Sequence, residues 1–143
     1  MPGVLSSMLL LTHRLTVRFR DCDAFGHVNN AVYLTYLEQA RFTLWKEQFG
    51  MRPGQDRQPG MILARVEIDY RSQARYGDEL EVRLALDAIG RSSFTYSYEV
   101  IDTATSRQVA HAKSIQVHFD YAQNRPVAID EALRARLSAP VER

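Results

Sequence analysis

The segment Asp21–Arg41, DCDAFGHVNNAVYLTYLEQAR, contains the residues best suited to chemistry. An acidic loop with a glycine precedes two asparagines and a long amphipathic stretch, so Asp23 lies a few residues before a predicted helix N-terminus. The first turn of a helix carries unpaired N–H groups and about half a positive charge. A carboxylate beside such donors can attack a carbonyl, or activate water against it, while the donors hold the carbonyl oxygen. The segment therefore predicts the catalytic end of a small acyl-transfer or hydrolysis enzyme.

A long amphipathic helix is predicted directly after this loop, over residues 31–49. Asn29 and Asn30 are good capping residues because their side-chain oxygens can accept hydrogen bonds from the first unpaired N–H groups. Gly50 is expected to end the helix. The apolar arc of this helix is wider than a surface helix needs. It consists of Tyr33, Leu34, Leu37, Ala40, Phe42, Leu44 and Trp45.

Strands are predicted on both sides of the helix. Residues 13–20 alternate between apolar and polar, which is typical of a half-buried strand, and they lead into the loop at 21–28. After a connecting loop at 52–60, successive hairpins favour an antiparallel sheet with the helix on one face, an α+β fold. The later elements are strands over 62–71, from residue 80, from residue 94 and over 108–120, then a short helix over 130–137.

The composition fits a single domain over residues 1–143. Its 18 basic and 17 acidic residues give a net charge of +1, which argues against a nucleic-acid-binding protein. The single cysteine, Cys22, cannot form an internal disulfide, so a cytoplasmic location is expected. Residues 1–12 are expected to form a flexible arm, and no segment is long enough to predict a membrane span.

The 21–41 segment resembles the hot-dog-fold thioesterases of the 4-hydroxybenzoyl-CoA thioesterase type. The shared pattern is D-x-D-x-x-G-H-V-N-N-x-x-Y-x-x-Y-x-E-x-A-R, and its GHVNN form is similar to the branch that includes long-chain acyl-CoA thioesterases. The order of elements matches over roughly residues 13–121, and the IDYRSQARYGDELEV stretch looks like the exit of the family's second strand. Many relatives carry a proline where Gln73 stands, so this chain departs from the family pattern at this turn.

This resemblance implies a curved antiparallel sheet of about five strands wrapped round one long central helix. The broad apolar arc of the helix is what such wrapping requires. The resemblance also implies a homodimer or homotetramer in which two subunits join their sheets. The acyl-CoA site would lie at the interface between them.

By the same resemblance, Asp23 matches the family's catalytic carboxylate, acting either as a nucleophile or as the base that deprotonates water. The alternative is a loop aspartate that only caps a turn. The backbone N–H of Asn30 is the candidate oxyanion donor. Glu38, inside the apolar arc, is an alternative catalytic carboxylate because other hot-dog thioesterases use one from this helix. Its alternative role is an ion pair with Arg41.

The remaining candidates concern binding and positioning. His27 could position the thioester or a water, or it could be a structural loop histidine. Tyr33 could line the acyl pocket or pack in the core. The CoA phosphates need cations, and relatives often have a basic residue and small hydroxyls at the strand start occupied here by Arg91, Ser92 and Ser93.

Other reactive side chains are not expected to take part. Cys22 lies between two aspartates, whose negative charges disfavour a thiolate. His111 and His118 fall on opposite faces of a strand, so no metal site is expected. No cofactor is expected either, since CoA is part of the substrate.

The function expected from these features is hydrolysis of an acyl-CoA thioester to a free acid and CoA. Alternatives are a non-catalytic acyl-thioester binding protein, a hydrolase of acyl-carrier-protein thioesters, and a hot-dog dehydratase, whose motif we do not find. The GHVNN resemblance favours a fatty acyl group.

Overall fold

The computed structural model describes residues 7–52, 54 and 59–142. Within these residues, a short 3₁₀ turn at Phe19–Asp21 separates the first strand from the first helix. The strands and helices, in chain order, are β1 (Met8–Thr16), α1 (Asn30–Phe49), β2 (Met61–Tyr70), β3 (Glu79–Ile89), β4 (Ser93–Asp102), β5 (Arg107–Asp120), β6 (Arg125–Pro126) and α2 (Glu131–Leu137).

The strands form a curved antiparallel sheet in the order β1-β3-β4-β5-β2, with the two-residue β6 paired to β5. Helix α1 packs across one face of this sheet. Strands β1 and β2 form the two edges of the sheet. The α+β class, the antiparallel sheet of five main strands and the single long helix agree with the sequence prediction.

The core lies between α1 and the concave face of the sheet. Alternate residues of β3 and β4 are buried against it, as the period-two patterns predict. These residues are Leu80, Val82, Leu84 and Leu86 on β3 and Phe94, Tyr96, Tyr98 and Val100 on β4. On α1, the buried arc is narrower than predicted because Leu34 is 38% exposed.

The face of β5 that points to the helix carries buried polar side chains. Ser114 and Gln116 are buried there, while Ile115 and Val117 on the opposite face are only half-buried. A chain of hydrogen bonds satisfies the buried polar groups: Tyr98 Oη lies 2.6 Å from Ser114 Oγ, the Ser114 hydroxyl donates to Gln116, and Gln116 Nε2 donates to the Phe94 carbonyl oxygen at 3.1 Å. This chain fills the space beside the large tyrosines without leaving unpaired polar atoms.

The prediction that residues 1–12 form a flexible arm is wrong for residues 8–12. These residues form the first half of β1, pair with β3, and bury Leu10 and Leu11 to 1% exposure. The predicted strand over 13–20 is also too long, since β1 ends at Thr16 and the chain then turns. Residues 1–6 lie outside the described part of the chain, as do 53 and 55–58 of the predicted connecting loop.

The ends of α1 follow the predicted capping chemistry. Asn29 is the N-cap, and its Oδ1 accepts the Ala31 N–H at 2.9 Å. Gly50 closes the helix in the left-handed conformation, with φ of 68°, and its N–H donates to the Lys46 carbonyl oxygen. The helix start is thereby fixed at Asn30, immediately after the acidic loop.

Candidate active site

A tight turn presents Asp23 at the surface. The Asp23 N–H donates to the His27 carbonyl oxygen at 2.9 Å, and the Gly26 N–H donates back to the Asp23 carbonyl oxygen at 3.0 Å. Gly26 has φ of +82°, a conformation that glycine adopts without the cost that a Cβ imposes. The Asp23 Oδ1 accepts the Phe25 N–H at 2.9 Å. One carboxylate oxygen therefore caps the turn, as the alternative role for this residue predicts, and the other has no intramolecular partner among the described residues.

The turn opens onto a groove of about 810 Å³ at the start of α1. The groove brings together four residues that the sequence analysis named as site candidates: Asp23, His27, Asn30 and Tyr33. Asp23 is exposed, His27 is half-buried and Tyr33 is buried. A substrate in this groove would therefore contact a carboxylate and a helix N-terminus together.

The Asn30 N–H is available to a ligand. The Ala31 N–H is taken by the Asn29 side chain, and the Val32 N–H donates to the Asn29 carbonyl oxygen at 2.8 Å. Among the described residues, the Asn30 N–H makes no hydrogen bond. Because this donor sits at the positive end of α1, it is suited to hold an oxygen that gains negative charge.

The cap that orients this donor can be tested by substitution. Asn29→Ala should lower the free energy of unfolding by about 1 kcal/mol, because the Ala31 N–H loses its acceptor, whereas Asn29→Asp should keep most of the stability. Urea denaturation of the three proteins at equal concentration measures both differences. An Asn29→Ala protein as stable as the wild type would show that this cap does not fix the helix start.

Asp21 anchors the loop to the helix. It is 2% exposed, and its Oδ2 accepts the Tyr36 hydroxyl at 2.8 Å and the Arg18 N–H at 2.9 Å, while the Arg18 guanidinium donates to Oδ1 at 2.9 Å. Its carbonyl oxygen accepts the Asn29 N–H at 2.9 Å. Burial alone would raise the Asp21 pKa, but the hydrogen bonds from Arg18 and Tyr36 outweigh it and lower the pKa. Burial, followed by the bond to Asp21, raises the pKa of Tyr36.

The lowered pKa makes the contribution of Asp21 to stability depend on pH. A carboxylate whose pKa falls on folding stabilises the fold fully above its unfolded pKa of about 3.9, and that contribution is lost as the pH drops through the folded pKa. Asp21→Asn should therefore lower the free energy of unfolding at pH 7 by about 1–3 kcal/mol, and its unfolding temperature should fall accordingly. The gap should narrow below about pH 4, where the wild-type carboxylate also becomes neutral.

Thermal unfolding followed by circular dichroism between pH 3 and 7 checks this dependence. The pKa of Asp102 is also lowered, chiefly by the hydrogen bond from Arg107, but Asp102 is present in both proteins, so its contribution cancels in the difference. A gap of constant size across this range would mean that the Asp21 charge does not stabilise the fold.

The far wall of the groove comes from residues at the end of β2 that are not among the predicted site residues. Tyr70, Arg71, Ser72 and Gln73 at the end of β2 line the groove opposite the loop, with Phe25 at its rim. The Tyr70 hydroxyl donates to the Asn30 carbonyl oxygen at 3.0 Å and so joins the strand end to the helix start. The position of these residues directly after a strand, within the IDYRSQ stretch, is the only sequence signal for their role.

Tyr33 supports this wall from below. Its hydroxyl oxygen accepts the Ala74 N–H at 3.3 Å, and its ring packs against that of Tyr70 with centroids 5.4 Å apart. Burial raises the Tyr33 pKa, so this hydroxyl stays protonated at neutral pH. Tyr33 therefore packs in the core and also lines the groove, while its predicted contact with an acyl group stays a prediction.

Glu38 is not in this groove. It is exposed at a separate cavity of about 160 Å³, further along α1, which Arg41 also lines. The predicted ion pair between Glu38 and Arg41 is absent, because the buried Arg41 guanidinium donates through Nη1 to Tyr98 Oη at 3.0 Å. Asp23 is thus the carboxylate that the structure places beside the helix N-terminus.

The predicted CoA-binding residues also lie elsewhere in the chain. Arg91, Ser92 and Ser93 sit at the start of β4, where Ser93 is in register with Val117 of β5 and, across it, Ile62 of β2. The groove lies at the other end of β2, about 26 Å away along the strand. Within one chain, the structure does not bring these three residues to Asp23.

Other site types find no support in the described part of the chain. None of its residues form a cluster of three or more potential metal ligands. None of its helices has the length and apolar character needed to cross a bilayer.

The family described as the thioesterase-like superfamily matches residues 17–137. This chain belongs to that superfamily. The match covers the loop, α1, strands β2 to β6 and α2, so the groove lies within the part shared with the family.

Relatives and solved structures that resemble this thioesterase-like protein bear on its fold and its general activity. One similar structure is a crystal structure of a Thermus thermophilus thioesterase complexed with coenzyme A and Zn, which is 32% identical in sequence with a TM-score of 0.79. The alignment covers 92% of this chain and 100% of the Thermus chain. The long-chain acyl-CoA thioesterase FadM of Escherichia coli is 26% identical over 90% of this chain and 98% of FadM. YsmA of Bacillus subtilis is 31% identical over 86 residues, 60% of this chain and 57% of YsmA.

These likenesses establish that this thioesterase-like protein has the hot-dog fold, and they support thioester hydrolysis as its general activity. The narrower placement in the GHVNN branch and the roles given to individual residues stay predictions.

Proposed function

We propose that this protein hydrolyses acyl-CoA thioesters to a free acid and CoA. The observation that carries the proposal is the groove at the positive end of α1. It holds the Asp23 carboxylate together with the Asn30 N–H, which has no partner among the described residues. The similarity to FadM, a long-chain acyl-CoA thioesterase, supports CoA as the thiol.

The chemistry follows from these two groups. The thioester carbonyl oxygen accepts the Asn30 N–H, which stabilises the negative charge that develops on it. Asp23 then either attacks the carbonyl carbon, giving a mixed anhydride that water hydrolyses, or removes a proton from a water that attacks directly. In both routes the carbon–sulfur bond breaks, the CoA thiolate leaves and is protonated, and water supplies the acid oxygen.

Two copies of the chain would complete the site. Strand β2 is an edge strand, and unpaired edges of this kind are templates for pairing with another chain. If two β2 strands pair antiparallel, the Ile62 end of one strand lies beside the Tyr70 end of the other. The Arg91–Ser93 segment of one subunit then approaches the groove of its partner, which supports a homodimer, or a homotetramer of such dimers, with these residues near the CoA phosphates.

A thiol-release assay tests the activity. Purified protein should release free CoA from acyl-CoA thioesters of several chain lengths, and it should act far more slowly on the corresponding oxygen esters, whose alkoxide leaving group is poorer. Release from acyl-carrier-protein thioesters but not from acyl-CoA would move the substrate to the carrier protein. Tight binding of acyl-CoA without thiol release would make the protein a binding module and overturn the proposal.

A further inference from the structure

A second cavity lies beside the groove, between α1 and the edge strand β2. Its volume is about 160 Å³. The groove reaches Tyr70 at the end of β2, and this cavity reaches Val66 and Leu63 further back along the same strand. Its helix side begins at Leu34, the residue after Tyr33 of the groove. The two spaces therefore follow one another along the same side of the helix.

Arg41 makes this cavity unusual. It is 6% exposed, yet no carboxylate among the described residues lies within ion-pair distance of its guanidinium. Of its five N–H donors, the one with an intramolecular acceptor is on Nη1, which bonds to Tyr98 Oη at 3.0 Å. The other guanidinium nitrogens have no hydrogen-bond partner among the described residues, and Arg41 lines the cavity. A buried charge is costly unless it is paired, so the guanidinium would stabilise an anion that enters this cavity.

The Tyr98 side of Arg41 supplies no negative charge. Tyr98 belongs to the neutral chain that continues through Ser114 and Gln116, and burial raises the pKa of Tyr98, which keeps its hydroxyl protonated. The hydrogen bond to Tyr98 fixes the guanidinium in place without neutralising it. The remaining N–H groups of the guanidinium are therefore oriented by this bond and can donate to a planar acceptor.

We propose that Arg41 binds a carboxylate at the distal end of the acyl group, so that the preferred substrates are CoA thioesters of α,ω-dicarboxylic acids. The inference rests on the proposed function and adds the substrate class. A guanidinium binds a carboxylate through two parallel hydrogen bonds, which gives both affinity and orientation. Arg41 follows Asn30 by 11 residues, about 16 Å along the helix axis, so a medium-length acyl chain held at Asn30 reaches it.

The lining of the cavity around Arg41 is suited to the methylene chain. Leu34, Leu37, Leu63 and Val66 supply apolar surface. Glu38 is the other charged group of this cavity, and it is exposed at the rim, where water screens its charge. Its repulsion should weaken binding of a terminal carboxylate somewhat without cancelling the attraction of the buried guanidinium.

The test compares two thioesters of equal length, sebacoyl-CoA with a terminal carboxylate and decanoyl-CoA with a terminal methyl group. The wild type should show the higher kcat/KM on sebacoyl-CoA. Arg41→Met, which keeps the volume and removes the charge, should lower the sebacoyl-to-decanoyl ratio by about tenfold to a hundredfold. Glu38→Gln should raise the same ratio, because it removes the like charge at the rim.

Arg41→Lys provides a variant that keeps the buried charge if Arg41→Met does not fold. It should lower the ratio less than Arg41→Met does, because it loses the two-point contact and keeps the attraction. Isothermal titration with free sebacate and decanoate gives a reading that needs no turnover. Wild-type protein should bind sebacate more tightly, and the variant that folds should lose that preference.

Three outcomes would overturn the inference. One is a wild-type ratio that favours decanoyl-CoA. Another is an unchanged ratio in the Arg41 variants together with lower stability or altered subunit assembly, which would show that a protein carboxylate pairs with Arg41. The third is equal binding of the two free acids. Thiol release from decanoyl-CoA alone would reject the inference and leave the proposed hydrolysis standing, whereas release from neither thioester would reject the proposed function itself.

Discussion

Asp23→Asn is expected to lower kcat for acyl-CoA hydrolysis by about a hundredfold to ten-thousandfold, the range typical for loss of a positioned acid–base group. The substitution removes the negative charge that would attack the carbonyl or accept a proton from water. The amide oxygen of asparagine can still accept the Phe25 N–H, so the turn should keep its shape. Because the Asp23 side chain is exposed, the thermal unfolding midpoint should stay at the wild-type value.

Asp120→Asn is the matched control for this substitution. Asp120 also caps a surface turn, accepting the N–H groups of Ala122 and Gln123 through Oδ1, and it does not line the groove. Its variant should hydrolyse acyl-CoA at the wild-type rate. An Asp23→Asn protein that matches the control in steady-state assays would show that Asp23 is not the catalytic carboxylate, and Glu38 would then become the next residue to substitute.

Leu37→Ala is expected to cause the largest loss of stability that we predict, about 2–5 kcal/mol in the free energy of unfolding. Leu37 is 0% exposed on the face of α1 that packs on the sheet. Shortening it removes buried apolar surface and leaves a cavity in the core. Urea denaturation at a fixed protein concentration measures the difference.

Leu34→Ala provides the comparison on the same helix, one turn earlier. Leu34 is 38% exposed, so this change should cost about 0.5 kcal/mol or less. The two variants make the same chemical change at different depths, and the contrast between them measures burial. An equal loss at both positions would contradict the exposed position of Leu34 and would require another molecule to cover it.

The elements that could be predicted from the sequence are those with clean local patterns. The alternation in β3 and β4 matches their buried faces, and the capping residues Asn29 and Gly50 mark the ends of α1. The predicted start of β1 is too late, because its run of leucines does not alternate between apolar and polar residues. A shift of register between Leu9 and Leu11 lets both Leu10 and Leu11 be buried, which breaks the period of two.

The candidate site divides in the same way. Asp23 and Asn30 are close in the sequence, so their proximity follows from one loop and one helix start. Tyr70 and Arg71 reach the groove because the sheet curves to bring the end of β2 over the helix, and no local pattern encodes that approach. The environment of Arg41 depends on its bond to Tyr98, 57 residues later in the chain, so the helical wheel could place it in the arc without showing what it contacts.

The double attachment of Asp21 has a consequence for thermal motion. Its main chain holds Asn29 and its side chain holds Tyr36, so the loop and the first two turns of α1 form one rigid unit. Thermal motion should then displace the Asp23 turn and the helix tip together, which preserves the spacing between them. The Tyr70 hydroxyl ties the end of β2 to the same helix start, so the far wall of the groove is attached to this unit as well.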